Sequence, residues 1–217
     1  ATANTAGGYS GESTTTTVKN TDDDSHGLTI SETGNNDGSG TLLTTEAGSS
    51  TTFTVVLDAQ PTANVTVSIT GLDTTENSLD TDTLTFSTAN WNTPQTVTVT
   101  GVDDTLVDGD ITTTLTATAS NTGGYAGTES TTTTVKNTDD DTNGITIAKT
   151  GTTDGSGNLL TTEAGTSSTF TVVLDAQPTA NVTVSLTGND TTEGSLSTSS
   201  LTFTTANWNT PQTVTVT

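Results

Sequence analysis

Residues 27–100 return at 144–217, 117 positions later, with only 15 of 74 positions changed. A chain that repeats this closely must fold each copy as the same unit, so an account of one copy has to serve the other. The segment STTTTVKNTDDD likewise stands at 13–24 and again at 130–141. One complete unit therefore runs over 27–141. Residues 1–24 read as the C-terminal strand or strands of a preceding repeat, and 144–217 as an incomplete repeat lacking its last two strands. Two readings of this phase stand open: an excerpt of a longer repetitive chain, or separate subunits that complete one another's sandwiches by strand donation.

Within the unit the apolar residues recur with period two, the mark of half-buried strands. Leu28 and Ile30 open it. Phe53, Val55 and Leu57 follow, then Val65, Val67 and Ile69, Leu84 and Phe86, Val97 and Val99, Ile111 to Ala117, and Thr131 to Val135. Thr and Val, abundant here, suit a pleated surface because both branch at Cβ. DAQPTAN, TANWNTPQ and NTGGYAGTES supply the Pro, Asn and Gly that turns require. Seven strands in about 100 residues predict an all-β chain of tandem, seven-stranded, immunoglobulin-like antiparallel sandwiches. Trp91 and Trp208 are expected to cap one end of each sandwich.

The chain carries 25 Asp and Glu against 3 Lys and Arg, for a net charge of −22. That balance excludes a phosphate-driven nucleic-acid binder, which needs clustered bases to displace counterions. It is also the composition of disorder, but disorder does not explain short alternating apolar runs. No stretch is apolar for the 18 or so residues of a membrane helix. Without Cys there are no disulfides, thiolate metal sites or Cys nucleophiles.

In a seven-stranded sandwich alternate connections share one end. Sorted this way, Glu32, Asp37, Glu46, Asp73, Glu76, Asp80, Asp82, Asp103, Asp104, Asp108, Asp110, Asp139, Asp140 and Asp141 fall at one tip, and only Asp58 and Glu129 at the other. So many carboxylates repel unless protonated, solvated or matched by a cation. Oxygen-only donors are what Ca²⁺ takes, whereas Zn²⁺ prefers His and Cys, and the chain has one His.

The turn TEAG at 45–48, VTVTGVDDTLVDGD at 97–110 and VKNTDDD at 135–141 resemble the Calx-beta domains of sodium–calcium exchangers, a beta integrin subunit and giant bacterial surface proteins. The resemblance covers the complete unit and both partial ones. It implies a calcium set of Glu46, Glu76, Asp103, Asp104, Asp108, Asp139, Asp140 and Asp141, with Asp22, Asp23 and Asp24 serving the first unit and Glu163 and Glu193 the third. Val107 and Gly109 depart from the family's more acidic loop. A second calcium pattern overlaps the first. NNDGSGTLLTTE at 35–46 fits a twelve-residue EF-hand loop, with Asn35, Asp37, Ser39 and Glu46 at ligand positions; its copy offers Asp154 and Ser156. DGSG is equally an ordinary turn between strands.

No His–acid pair is placed to activate a Ser or Thr, and a thin repeated sandwich leaves no cleft for paired catalytic acids. The expectation is therefore a non-enzyme: a calcium-stabilised, secreted or cell-surface repeat forming a stiff rod in a large adhesin or extracellular filament. Its partners would be copies of itself or neighbouring repeats, with any surface ligand held by other parts of a longer chain, and it would insert in no membrane. Aromatic platforms for carbohydrate are scarce, and the Thr ladders of an ice-binding face arise on any Thr-rich sandwich.

Overall fold

The computed structural model describes residues 1–2, 6–8, 11–188 and 190–217. The complete unit holds nine strands: β1 (Leu28–Glu32), β2 (Thr41–Thr45), β3 (Ser50–Leu57), β4 (Val65–Thr70), β5 (Asn77–Leu79), β6 (Thr83–Phe86), β7 (Gln95–Gly101), β8 (Ile111–Ala119) and β9 (Ser130–Thr138). They form one sheet in the order β1-β3-β7-β5 and a second in the order β2-β9-β8-β4-β6. The two pack face to face as an immunoglobulin-like β-sandwich.

Alternation places the core. In β3 every second residue is buried, so Phe53, Val55 and Leu57 point inward beside Val97 and Val99. Val65, Val67, Leu84, Phe86, Leu115, Ala117 and Val135 meet them from the opposite sheet, and Trp91 packs against the margin. Tyr125, outside any strand, is also buried. Its hydroxyl donates to the Ala59 carbonyl at 3.0 Å, with the Gly27 carbonyl at 3.4 Å, and its ring meets His26 edge-on at 4.5 Å. Tyr125→Phe strands those carbonyls and is expected to cost about 1–2 kcal/mol in urea unfolding.

Two strands exceed the seven expected. After β1 the chain turns back through 33–40 and crosses to the other sheet, where β2 lies parallel to β9, Thr41 opposite Thr134 and Thr45 opposite Thr138. The remaining ladders of the unit are antiparallel. β5 is a three-residue edge strand against the end of β7. Neither can be read from local alternation, because each exists only through a partner distant in sequence.

The flanking segments show what that dependence means. Residues 13–20 repeat the sequence of β9, yet 14–27 contain no strand. Val18 is 90% exposed where its counterpart Val135 is fully buried. Among the described residues of 1–24 the pairing is limited to the antiparallel Thr2–Ser13 bridge, the register in which Thr118 meets Ser130, with the Thr14 amide on the Ala1 carbonyl at 3.0 Å, whereas β9 is held along its length by β2 and β8. Residues 144–217 form β10 (Ile145–Lys149), β11 (Ser168–Leu174), β12 (Val182–Ser185), β13 (Ser200–Phe203) and β14 (Gln212–Val216). β10-β11-β14 reproduces β1-β3-β7, and β12-β13 reproduces β4-β6. Val172, Leu174, Leu201, Phe203 and Val214 make its core, with Trp208 at the edge. Ile145, Ile147 and Leu160 stay exposed, on a half-sandwich with no counterparts of β8 and β9 in 144–217.

Candidate metal centre

The parallel pairing of β2 with β9 builds the centre of the site. Because Thr45 sits opposite Thr138, the next residue on β2 meets the residues that follow β9. The Glu46 amide donates to the Thr138 carbonyl at 3.1 Å, and the Asp140 amide donates to Glu46 Oε2 at 3.2 Å. The turn after Glu46 closes through the Gly48 amide on the Thr45 carbonyl at 2.9 Å. Gly48 takes φ 81°, a left-handed conformation that favours Gly.

Glu76 arrives from the turn before β5. Its amide bonds the Asp73 carbonyl at 3.3 Å, and its own carbonyl accepts from the Val102 amide at 2.8 Å. Asp103, Asp104 and Asp108 come from the β7–β8 loop, where Asp104 Oδ1 accepts the Leu106 amide at 2.6 Å. The Gly109 amide reaches across to Asp139 Oδ2 at 2.8 Å, tying this loop to the end of β9. Four separate stretches of chain therefore converge on one tip.

Their carboxylates gather into three groups, each with one oxygen per residue within 4.8 Å of the others: Glu46, Asp103 and Asp140; Glu46, Asp139 and Asp141; Glu76, Asp104 and Asp108. Glu46 belongs to two of them. It is 2% exposed and Glu76 is 4% exposed. Burial, then the nearby Asp139, Asp104 and Glu76, push the Glu46 carboxyl up to about 7. Burial also raises Glu76, helped by Asp108, Asp104 and Asp73. Asp141 is raised by burial and by Asp139 and Asp140. Among the described residues no Lys is ion-paired with these grouped carboxylates. Lys136 is paired with Asp110 at 2.8 Å and Lys149 donates to the Gly157 carbonyl.

A neutral network under the acids carries no obvious sequence signal. Thr44 Oγ1 donates to Asn137 Oδ1 at 3.0 Å, Asn77 Nδ2 donates to Thr44 Oγ1 at 3.0 Å, and Asn137 Nδ2 donates to the Val102 carbonyl at 3.1 Å and to Glu76 Oε2 at 3.3 Å. The inward register of Asn137 on β9, two residues from Val135, is the one clue. The backbone there is tight: a Cβ on Gly101 would collide with the Thr45 carbonyl and Asn137 Oδ1. Two atoms in this region are buried with no hydrogen-bond partner, Asn77 Oδ1 and Asp141 Oδ2.

Six of the fourteen acids assigned to the tip are in none of the three groups. Glu32 accepts from the buried Thr133 hydroxyl, a bond from β1 of one sheet to β9 of the other. Asp37 binds the Ser39 and Thr41 amides at 2.8 and 3.1 Å. Asp73 binds Thr75, Asp80 takes the Thr98 amide, Asp82 takes the Thr83 hydroxyl and Asp110 takes Lys136. β5 runs back along β7 and takes Asp80 and Asp82 from the tip, and the turn before β2 takes Asp37, whereas Asp73 stays close enough to raise Glu76 without joining a group. The twelve-residue-loop pattern takes a local form. Residues 35–43 form a small hairpin, with the Asp37 amide on the Thr41 carbonyl and the Leu43 amide on the Asn35 carbonyl. Asn35, Asp37 and Ser39 serve that turn while Glu46 serves the tip. The copy does the same, Asp154 accepting the Ser156 and Asn158 amides at 2.8 and 2.7 Å.

Asp22, Asp23 and Asp24 are exposed, with the Asp24 amide on Asp22 Oδ1 as a local bond, and they join no group among the described residues. Glu163 and Glu193 line one concavity of about 480 Å³ with Thr162, Gly165 and Thr217. Both are exposed, unlike Glu46 and Glu76, because residues 144–217 contain no counterparts of Asp103, Asp104, Asp108 and Asp139–Asp141.

No family model matches the chain, and no curated protein sequence matches it. Similar solved structures include the YadV chaperone, at 10% identity over 87% of this chain and 84% of that one with a TM-score of 0.38. CBD12 from CALX1.2 is similar at 18% identity, over 82% of this chain and 72% of that one with a TM-score of 0.33. A C. elegans MSP family member is similar at 6% identity, over 51% of this chain and 95% of that one with a TM-score of 0.34.

Proposed function

We propose that the chain is a stretch of Calx-beta-like repeats that bind calcium at the eight-carboxylate tip and use it to stiffen a rod outside the cell, as part of a large surface adhesin or filament. In this reading 27–141 is one whole repeat, 1–24 ends the repeat before it and 144–217 begins the next. The observation that carries it is the burial of Glu46 and Glu76 among acids from four stretches of chain, with Asp141 Oδ2 buried and unpartnered and, among the described residues, no Lys or Arg paired with the grouped carboxylates. Acids serving only to keep a surface soluble belong in water. These are withdrawn from it, at a cost that a cation would offset.

The donor set fits a large hard ion. It is all oxygen, mixes deep and exposed carboxylates, and offers more acids than the one or two that Mg²⁺ usually takes from a protein. Glu46, Asp139, Asp140, Asp141 and Asp103 would hold ions nearest the end of β9, and Glu76, Asp104 and Asp108 nearest β5. A bound ion supplies charge compensation and a crosslink between β2, β7–β8 and β9, and no catalytic step follows from the arrangement. Millimolar calcium outside cells would fill even weak sites of this kind, those of about 10⁻⁴–10⁻³ M.

Titration calorimetry of the chain with calcium, and with magnesium as control, tests the reading together with small-angle scattering in EDTA and in calcium. Expected are saturable calcium binding at the tip, a far weaker magnesium response, and a longer maximum dimension with calcium. No calcium heat would reduce the tip to a strained acidic surface.

A further inference from the structure

The β7–β8 loop faces two ways. Asp103, Asp104 and Asp108 turn toward the carboxylate tip of their own sandwich, while Thr105, lying between them, reaches the half-sandwich that follows. The Gln177 amide donates to the Thr105 carbonyl at 2.8 Å, Thr105 Oγ1 donates to Gln177 Oε1 at 3.1 Å, and Leu106 and Gln177 make a parallel bridge. Gln177 sits in the connection between β11 and β12, where its other amide atom is already used: Nε2 donates to the Thr205 carbonyl at 3.0 Å. That bond aims Oε1 and the backbone amide outward.

Gln60 is the same residue in the complete repeat. Its Nε2 donates to the Thr88 carbonyl at 2.8 Å, but among the described residues no loop engages its Oε1 or backbone amide, and it is exposed. The side chain is therefore posed identically with and without a partner. A surface that needs no rearrangement to bind loses little free energy to ordering.

We infer that the β3–β4 connection carrying Gln60, like its copy carrying Gln177, is a preformed socket for the Thr105–Leu106 corner of the repeat placed before it, and that this corner couples cation binding to the joint between repeats. The partner is thus another copy of this repeat, recognised by one backbone and one hydroxyl hydrogen bond. The coupling half rests on the calcium reading. A loop whose aspartates are drawn to an ion holds Thr105 still, and a loop whose aspartates repel one another does not.

The chain has no cysteine, so Thr85→Cys and Thr202→Cys, equivalent exposed positions on β6 and β13, place one spin label on each sandwich for distance measurement by electron resonance. Wild type should give a broad distribution in EDTA and a narrow one in calcium. Thr105→Val combined with Gln177→Ala should stay broad in calcium while calorimetry still finds the ion. Gln60→Ala loses the equivalent bond inside its own sandwich but touches no joint in this chain, and should behave as wild type. A double variant whose distribution superimposes on wild type in calcium overturns the socket. If wild type binds no calcium, yet its distribution is narrow and broadens in the double variant, the socket stands and the calcium reading falls.

Discussion

Replacing Glu46 with Gln is expected to stabilise the metal-free protein at pH 8 and to remove most of the stabilisation that calcium confers. The two effects have opposite signs for one reason. In the folded protein at pH 8 the Glu46 carboxylate is ionised against its own burial and against Asp139, Asp104 and Glu76, which is what raises it to about 7. Gln keeps the shape and an oxygen for the Asp140 amide, while its amide hydrogens find the surrounding carboxylates as acceptors. Relief of the ionisation penalty should then raise stability by about 1–3 kcal/mol, roughly 5–15 °C in melting temperature. With calcium the order reverses. Wild type should gain about 3 kcal/mol at a hundredfold excess over the dissociation constant, whereas the variant has lost the residue common to two of the three carboxylate groups. Melting curves of both proteins in EDTA and in calcium give the four values. A variant less stable than wild type in EDTA would mean that Glu46 is held by structural hydrogen bonds that Gln cannot replace.

The acids that form this centre were legible in sequence in a particular way. The seven strands with alternating burial were visible because each alternates within itself, as Phe53, Val55 and Leu57 do. The eight clustered acids were visible through their motifs, and Glu46 above all through the TEAG turn. What was hidden depends on partners far along the chain. β2 is TLLTT, a run with no clean alternation, and it becomes a strand only by lying parallel to β9, more than ninety residues later. That pairing moves Asp37 away from the tip and brings Glu46 to it, although the two belong to the same predicted connection. The Thr44–Asn77–Asn137 network was hidden for the same reason: its members come from three strands and share no spacing. The identical sequence at 13–20 forms no strand, so the pattern of β9 is permissive and its neighbours decide.

Stability of the metal-free protein should fall as pH rises from about 5 to 8, and added calcium should turn that slope around. Glu46, Glu76 and Asp141 are all raised in the folded state. Folding therefore favours their protonated forms, and the contribution is fully present below ordinary carboxylate values and lost as pH climbs through the folded ones, for Glu46 at about 7. That residue alone accounts for up to about 3 kcal/mol across the window. The lowered carboxylates act in the other direction. Asp37, Asp73 and Asp110 accept hydrogen bonds or face Lys136, and what they contribute is lost only as pH falls below about 4. The two sets separate on the pH axis, which puts the metal-free maximum near pH 5. A bound ion holds the raised trio ionised, so protonation then costs binding, and stability in calcium should increase from pH 5 to 8. Urea unfolding at several pH values, with EDTA or calcium, measures both slopes. Glu46→Gln should flatten the EDTA slope more than any exposed Asp→Asn change, because the repulsion of a highly acidic surface is shared among many groups whereas the burial penalty belongs to Glu46. Equal flattening by Asp23→Asn, out in the segment before β1, would instead assign the pH dependence to net charge.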